Sequence, residues 1–159
     1  MLYIQDQSGT YRPAPKDTVL IEARRLSSYQ LRRGVSITSP AAAKEAIATK
    51  LIGLECEMFA CLFLDSKHQV LAWQEMFRGS VNRATVHPRE VVKEALRLNA
   101  SAIILAHNHP SGNSTPSPED IDLTKKLQEI LKIIDVRVLD HLIIGDDITA
   151  LNESGHVFP

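Results

Sequence analysis

Two rhythms of apolar and polar positions alternate along the chain, and between them they predict most of its regular structure. Ser39-Pro40 opens an Ala-rich stretch that runs to Leu51. Serine in the N-cap position with proline in the first turn is a helix start, so this segment reads as a helix. Residues 57–64 (EMFACLFL) and 69–77 (QVLAWQEMF) are apolar runs separated by Asp65-Ser66-Lys67-His68, the pattern of a hairpin. After His87-Pro88-Arg89-Glu90, the apolar residues Val91, Val92, Ala95, Leu96 and Leu98 follow helical spacing. Residues 101–106 (SAIILA) are short, continuous and rich in β-branched residues, which suits a strand buried on both faces. Residues 118–134 return to a helical set through Ile121, Leu123, Leu127, Ile130, Leu131 and Ile134, and residues 136–145 (VRVLDHLIIG) return to strand composition. The predicted order is helix, hairpin, helix, strand, helix, strand. It implies an α/β fold in which a mixed β-sheet is flanked by helices.

Residues 1–35 break this rhythm. They carry Gly9, Pro13, Pro15, Gly34 and the pairs Arg24-Arg25 and Arg32-Arg33, with only a short helix-compatible stretch from Val19 to Leu31. They read as an N-terminal extension to a single domain at 36–159, and the arginine pairs read as a solvated helix face. Composition supports one domain. The 159 residues are 44% hydrophobic and 23% charged, which leaves no room for a second full domain. Eighteen basic against nineteen acidic residues give a net charge of -1, so a whole-molecule polyanion-binding surface is not expected. The charge is uneven: residues 1–35 hold six basic and three acidic groups, residues 120–159 four and eight. Cys56 and Cys61 are an odd number of residues apart. On one strand they would face opposite ways and could not pair, which together with the lack of a signal-like N-terminus or a long apolar run points to a cytoplasmic protein that does not enter a membrane.

Six histidines are more than a small core needs, and His107 and His109 stand one residue apart where the buried strand ends. Residues two apart on an extended chain point to the same side, so the two imidazoles can serve one ion. A loop rich in proline, serine and glycine follows, and the next helix begins at Ser117-Pro118-Glu119-Asp120. Asp120 in its first turn can add a carboxylate. Two histidines and one carboxylate leave a fourth position open, which distinguishes catalytic from structural zinc. Ser117 and Asp120 also make a good helix cap on their own. Capping does not account for the histidines.

His-x-His, seven residues, Ser, two residues, Asp is the JAMM signature of the MPN metalloprotease superfamily, met here without a gap at His107, His109, Ser117 and Asp120. The wording His-Asn-His-Pro-Ser-Gly, with VHPREVVKEAL before it and VLDHLIIG after it, resembles the RadC branch over about residues 36–158. The resemblance implies the MPN fold, similar in layout to cytidine deaminases, and one catalytic zinc ion held by His107, His109 and Asp120. The deaminases' own Cys-x-x-Cys ligands are absent from this sequence, which removes nucleobase deamination. It also implies a glutamate general base at the start of an earlier strand. Glu55 and Glu57 both precede the first apolar strand with the same parity, and Glu57, directly before it, fits the family position. The implied chemistry is amide hydrolysis: zinc acidifies a water, Glu57 takes its proton and passes it to the leaving amine, and Ser117 donates a hydrogen bond to the oxyanion.

The function expected is therefore a zinc-dependent metallopeptidase or isopeptidase acting on a protein or peptide. The alternative is an accessory or binding protein in DNA repair or DNA metabolism. RadC-like proteins carry an N-terminal helix-hairpin-helix region, for which residues 1–35 are too short, so nucleic acid is a weakly supported partner. Of the other histidines, His141 in Leu139-Asp140-His141 reads as a structural strand residue that can alternatively support a ligand. His87 reads as a helix start, and His68 and His156 as solvent-exposed. Trp73, the sole tryptophan, reads as core with Met76 and Phe77.

Overall fold

The computed structural model describes residues 1–79, 86–155 and 158. Its centre is a five-stranded mixed sheet built from β3 (Met58–Leu64), β4 (Val70–Arg78), β5 (Ala102–Asn108), β6 (Arg137–Ile144) and β7 (Ile148–Ala150), in the spatial order β4-β3-β5-β6-β7. β3 pairs antiparallel with both β4 and β5, β5 runs parallel to β6, and β7 returns antiparallel on the outer side of β6. The parallel pair needs a crossover, and helix α4 (Pro118–Ile133) provides it. The other helices are α1 (Lys16–Gln30), α2 (Pro40–Leu51), α3 (Pro88–Arg97) and the short α5 (Leu151–Ser154).

Every residue of β3 and of β5 is buried, as expected of central strands covered on both faces. On one face, Leu62, Leu64, Ile104, Ala106 and Leu142 pack with Ala43, Ala46, Ile47 and Leu51 of α2. On the other, Phe59, Cys61, Phe63, Ile103 and Leu105 pack with Val91 and Ala95 of α3 and with Leu127 and Leu131 of α4. Helices thus cover both faces of the sheet. Ser39 caps α2, its hydroxyl accepting from the Ala42 N–H at 3.1 Å, as its sequence position predicts.

Several boundaries move. β5 extends two residues beyond the apolar run, so His107 lies on the strand itself and His109 one residue past its end. Helix α1 begins at Lys16 and packs on α2. The Ser27 hydroxyl donates to the Ala46 carbonyl at 2.6 Å, and Leu31 enters the α2-side core. Ahead of α1, β1 (Tyr3–Gln5) and β2 (Tyr11–Pro13) form a fully exposed two-stranded hairpin. Its turn is tied by Asp6, which accepts from the Ser8 and Thr10 N–H groups. His68 is half-buried, not exposed, with φ at 58° in the β3–β4 turn. Trp73 is only partly buried, against the α2-side cluster. His156 falls outside the described residues. Cys56 and Cys61 are both free thiols, and among the described residues no helix is long and apolar enough to cross a membrane.

Candidate metal centre

His107 ends up at the site because the apolar parity of β5 continues to its end. Ile103, Leu105 and His107 alternate onto the face covered by α3 and α4. The chain leaves the strand still extended, and the His109 N–H donates to the Ile144 carbonyl at 2.8 Å, so the second imidazole follows the first on the same side. The loop then folds back. The Gly112 N–H bonds to the His109 carbonyl, and the Asp146 N–H bonds to the Gly112 carbonyl at 2.7 Å. Backbone contact there is so close that a Cβ on Gly145 would lie 2.2 Å from the Gly112 oxygen. The loop is thereby fixed on the β6–β7 turn, and the Thr149 hydroxyl reaches Ser114 at 3.0 Å.

Helix α4 starts in a reciprocal capping box. The Ser117 hydroxyl accepts from the Asp120 N–H at 3.1 Å, and one carboxylate oxygen of Asp120 accepts from the Ser117 N–H at 2.9 Å. The same carboxylate turns its other oxygen to His107. Nε2 of His107, Nε2 of His109 and the Asp120 carboxylate converge: 2.9 Å between the two nitrogens, 3.2 Å from His107 to Oδ1 and 3.4 Å from His109 to Oδ2. Capping and convergence are therefore two uses of one side chain.

These separations test whether the residues fit a metal ion. Zinc–nitrogen bonds of about 2.0–2.1 Å in a tetrahedron set neighbouring ligand atoms about 3.3 Å apart; the two nitrogens come close to this, each lies near a different oxygen of Asp120, and one ligand atom from each residue falls within 4.8 Å of the others. His109 contributes a second constraint. Its Nδ1 lies 2.7 Å from the Asn113 carbonyl, which can only accept, so Nδ1 carries the proton and a neutral imidazole offers its Nε2 lone pair inward. His107, His109 and Asp120 can accordingly hold one cation with a fourth position left over. The cluster is most open at His109, whose side chain is 17% exposed against 1% for His107 and 7% for Asp120.

Burial raises the Asp120 carboxyl, but its neighbours His107 and Ser117 outweigh it and hold the group below the usual carboxylate range. Beneath the cluster Phe59, fully buried, stacks on His107 with ring centroids 6.4 Å apart and meets His141 edge-on at 5.8 Å. His141 is itself fully buried, which pushes its pKa well below the ordinary imidazole value, with nearby His107 adding to the effect. It lies 2.8 Å from His107 and 2.6 Å from the Thr124 hydroxyl.

Glu57 is half-buried immediately before β3, whereas Glu55 sits exposed in a bend. The β3–β5 ladder ends with Phe59 opposite His107, and Glu57, two residues ahead of Phe59, shares its parity. Its backbone is held on both sides. Asn108 accepts from the Met58 N–H at 2.7 Å and donates to the Cys56 carbonyl at 3.0 Å, and the Gly79 N–H bonds to the Glu57 carbonyl at 2.8 Å. Asn108 and Thr124 were not singled out from the sequence. A buried asparagine between two candidate ligands is the signal that would have pointed to the first, and Thr124 carries none before the fold is known.

An α/β domain with a mixed five-stranded sheet, and with two histidines and an aspartate gathered where a parallel strand meets its crossover helix, is the JAB, or MPN, type of fold. The RadC-like JAB domain matches residues 37–156, and the chain belongs to that family. It is 46% identical over 147 residues to a UPF0758 protein of Thioalkalivibrio sulfidiphilus, covering 92% of this chain and 66% of that protein. It is 49% identical over 138 residues to a UPF0758 protein of Pseudomonas syringae pathovar tomato, covering 87% and 62%. To one of Nitrosococcus oceani it is 50% identical over 123 residues, covering 77% and 55%. The chain thus spans less than two thirds of the length of these relatives.

Proposed function

We propose that the chain is a zinc-dependent hydrolase of the JAMM type that cleaves an amide bond in a protein or peptide. The observation that carries this reading is the convergence of two imidazole nitrogens and a carboxylate within 4.8 Å of one another, a donor set that leaves a fourth position of a tetrahedral ion to water or substrate. Zinc held there would supply Lewis-acid polarisation of a carbonyl and acidification of a water. Glu57, at the entry to β3, would serve as the base toward an attacking water and as the acid toward the leaving nitrogen. The Ser117 oxygen accepts from the Asp120 N–H, which leaves its own hydrogen available for the oxyanion. Phe59 and the buried strand ends keep the floor of the site dry, which strengthens each of these interactions. Two unpaired cysteines suit a reducing compartment, and we place the activity in the cytoplasm.

The DNA-metabolism reading draws on Arg24, Arg25, Arg32 and Arg33. Two of these are already engaged within the molecule, Arg24 with the Ile52 carbonyl and Arg25 with Glu22, so a substrate with an amide bond is favoured over nucleic acid. The test is elemental analysis of the purified protein together with hydrolysis of a mixed peptide and isopeptide library. The expected result is one zinc per chain, lost in His107→Ala and Asp120→Ala. Glu57→Gln should keep the zinc and lose hydrolysis. Full zinc stoichiometry in either ligand variant would overturn the assignment. So would iron in place of zinc, because two histidines and a carboxylate also serve oxygen-activating iron.

A further inference from the structure

We infer that His141 and Thr124 are positioning residues that decide which nitrogen of His107 carries its proton, and so present the His107 Nε2 lone pair to the metal ion. This rests on His107 being a ligand. The assignment follows from counting hydrogens along a buried chain of contacts that begins on helix α4. The Thr124 hydroxyl lies 2.6 Å from the Asp120 carbonyl oxygen. A carbonyl can only accept, so the single hydroxyl hydrogen of Thr124 is used there. Toward Nδ1 of His141, also 2.6 Å away, the same oxygen can then only accept. His141 must therefore carry its proton on Nδ1. Its ring is fully buried beside Phe59, where an unpaired charge is too costly, so the imidazole is neutral and its Nε2 is a bare acceptor. Nε2 of His141 lies 2.8 Å from Nδ1 of His107, which must donate. The proton of a neutral His107 is thus fixed on the outer nitrogen, and Nε2 faces His109 and Asp120 with a lone pair.

A backbone carbonyl of α4 thereby sets the tautomer of a residue on β5 through two side chains. The other histidine ligand is set separately by the Asn113 carbonyl. The helix that supplies Asp120 as a ligand also supplies the anchor of the relay, since Thr124 bonds the carbonyl of Asp120 itself. Thr124 lies one helical turn from Asp120, so the carboxylate and the hydroxyl project from adjacent turns. Replacing Thr124 by valine keeps the shape and removes the acceptor for the His141 N–H. His141 then places its proton on Nε2 and donates to His107, which pushes the His107 proton onto the nitrogen that must bind metal.

The experiment uses the full chain labelled with nitrogen-15, as wild type, Thr124→Val and Thr124→Ser. Histidine ring tautomers are read by long-range proton–nitrogen NMR, with and without zinc, and zinc affinity by competition with a chromophoric chelator. In the wild type, Nδ1 of His107 should be protonated in both states, with a coupling across its hydrogen bond to Nε2 of His141. Thr124→Val should lose that arrangement in the zinc-free protein and bind zinc about 10- to 100-fold more weakly, whereas Thr124→Ser, which keeps the hydroxyl, should retain both. An unprotonated Nδ1 on His107 in the wild type would overturn the inference, as would Thr124→Val with unchanged affinity. If the wild type takes up no zinc while His107 shows the assigned tautomer, the metal reading fails and the relay stands. If Thr124→Val does not fold, the wild-type tautomers and the Thr124→Ser affinity still decide.

Discussion

Asn108 stands between two candidate metal ligands and points away from both, and its removal should weaken the fold while leaving the His107–His109–Asp120 cluster in place. The even-numbered residues of β5 face α2, so Asn108 follows Ile104 and Ala106 to that side. There its amide joins β5 to the approach of β3, accepting from Met58 N–H and donating to the Cys56 carbonyl. These are the residues on either side of Glu57. In Asn108→Ala the Met58 N–H is left in a residue only 2% exposed, and an unsatisfied buried donor costs about 1–3 kcal/mol. Cys56 is only partly buried, so water can replace the lost bond to its carbonyl, for about 1 kcal/mol or less. The total expected is about 1–4 kcal/mol. Urea unfolding should show it as a lower midpoint with an unchanged slope. Amide exchange at Met58 should accelerate more than at Leu105, in mid-strand. Zinc stoichiometry in the folded variant should remain that of the wild type. A stability loss below about 1 kcal/mol, or loss of zinc from a folded variant, would refute the assignment of Asn108 to the base-bearing segment.

Three further outcomes follow from the same geometry. Gly145→Ala should release the loop after His109 from the β6–β7 turn, because its Cβ would lie 2.2 Å from backbone oxygen; weaker zinc binding with lower thermal stability is expected, and an unaltered variant would show that the loop is not fixed there. Burial chiefly raises the pKa of Asp140, against hydrogen bonds from the Asn152 and His141 N–H groups. A carboxyl with a raised folded pKa contributes stability below its unfolded value of 3.8 and loses it as pH rises through the folded value. Asp140→Asn, which can still accept both bonds, should therefore gain on the wild type in denaturation midpoints as pH rises from 3.8 toward neutrality, and a wild type that gains instead would reverse the sign. Finally, with a net charge of -1, any DNA affinity should vanish by about 150 mM salt in a titration series, and tight sequence-selective binding at that salt would restore the nucleic-acid reading.

The parts of the fold legible in the sequence are those whose burial is two-sided or strictly periodic. β3 and β5 are buried along their whole length, and β3 and the first five residues of β5 appear as unbroken apolar runs. The hairpin of β1 and β2 is exposed at every strand residue, so it leaves no hydrophobic trace and is held by backbone pairing and the Asp6 turn. β7 is three residues long, too short for alternation to register. Leu31 shows a different limit: its place in the core depends on α1 packing against α2, which no local pattern encodes.

At the site the same distinction separates ligands from supports. His107, His109 and Asp120 are close in sequence because a strand end, a loop and a helix start suffice to bring them together. His141 and Thr124 reach His107 only once β6 lies parallel to β5, with Leu105 opposite His141, and once α4 packs over that pair. Their roles are therefore set by the crossover. The crossover in turn fixes both ends of the relay, since α4 carries Asp120 and Thr124 one turn apart while β6 carries His141 beside His107. A shift of α4 along the sheet would move the carboxylate ligand and the tautomer anchor together. The candidate metal cluster and the proposed histidine tautomers are thus tied to one packing contact, and a mutation that displaces α4 from β6 should impair both at once.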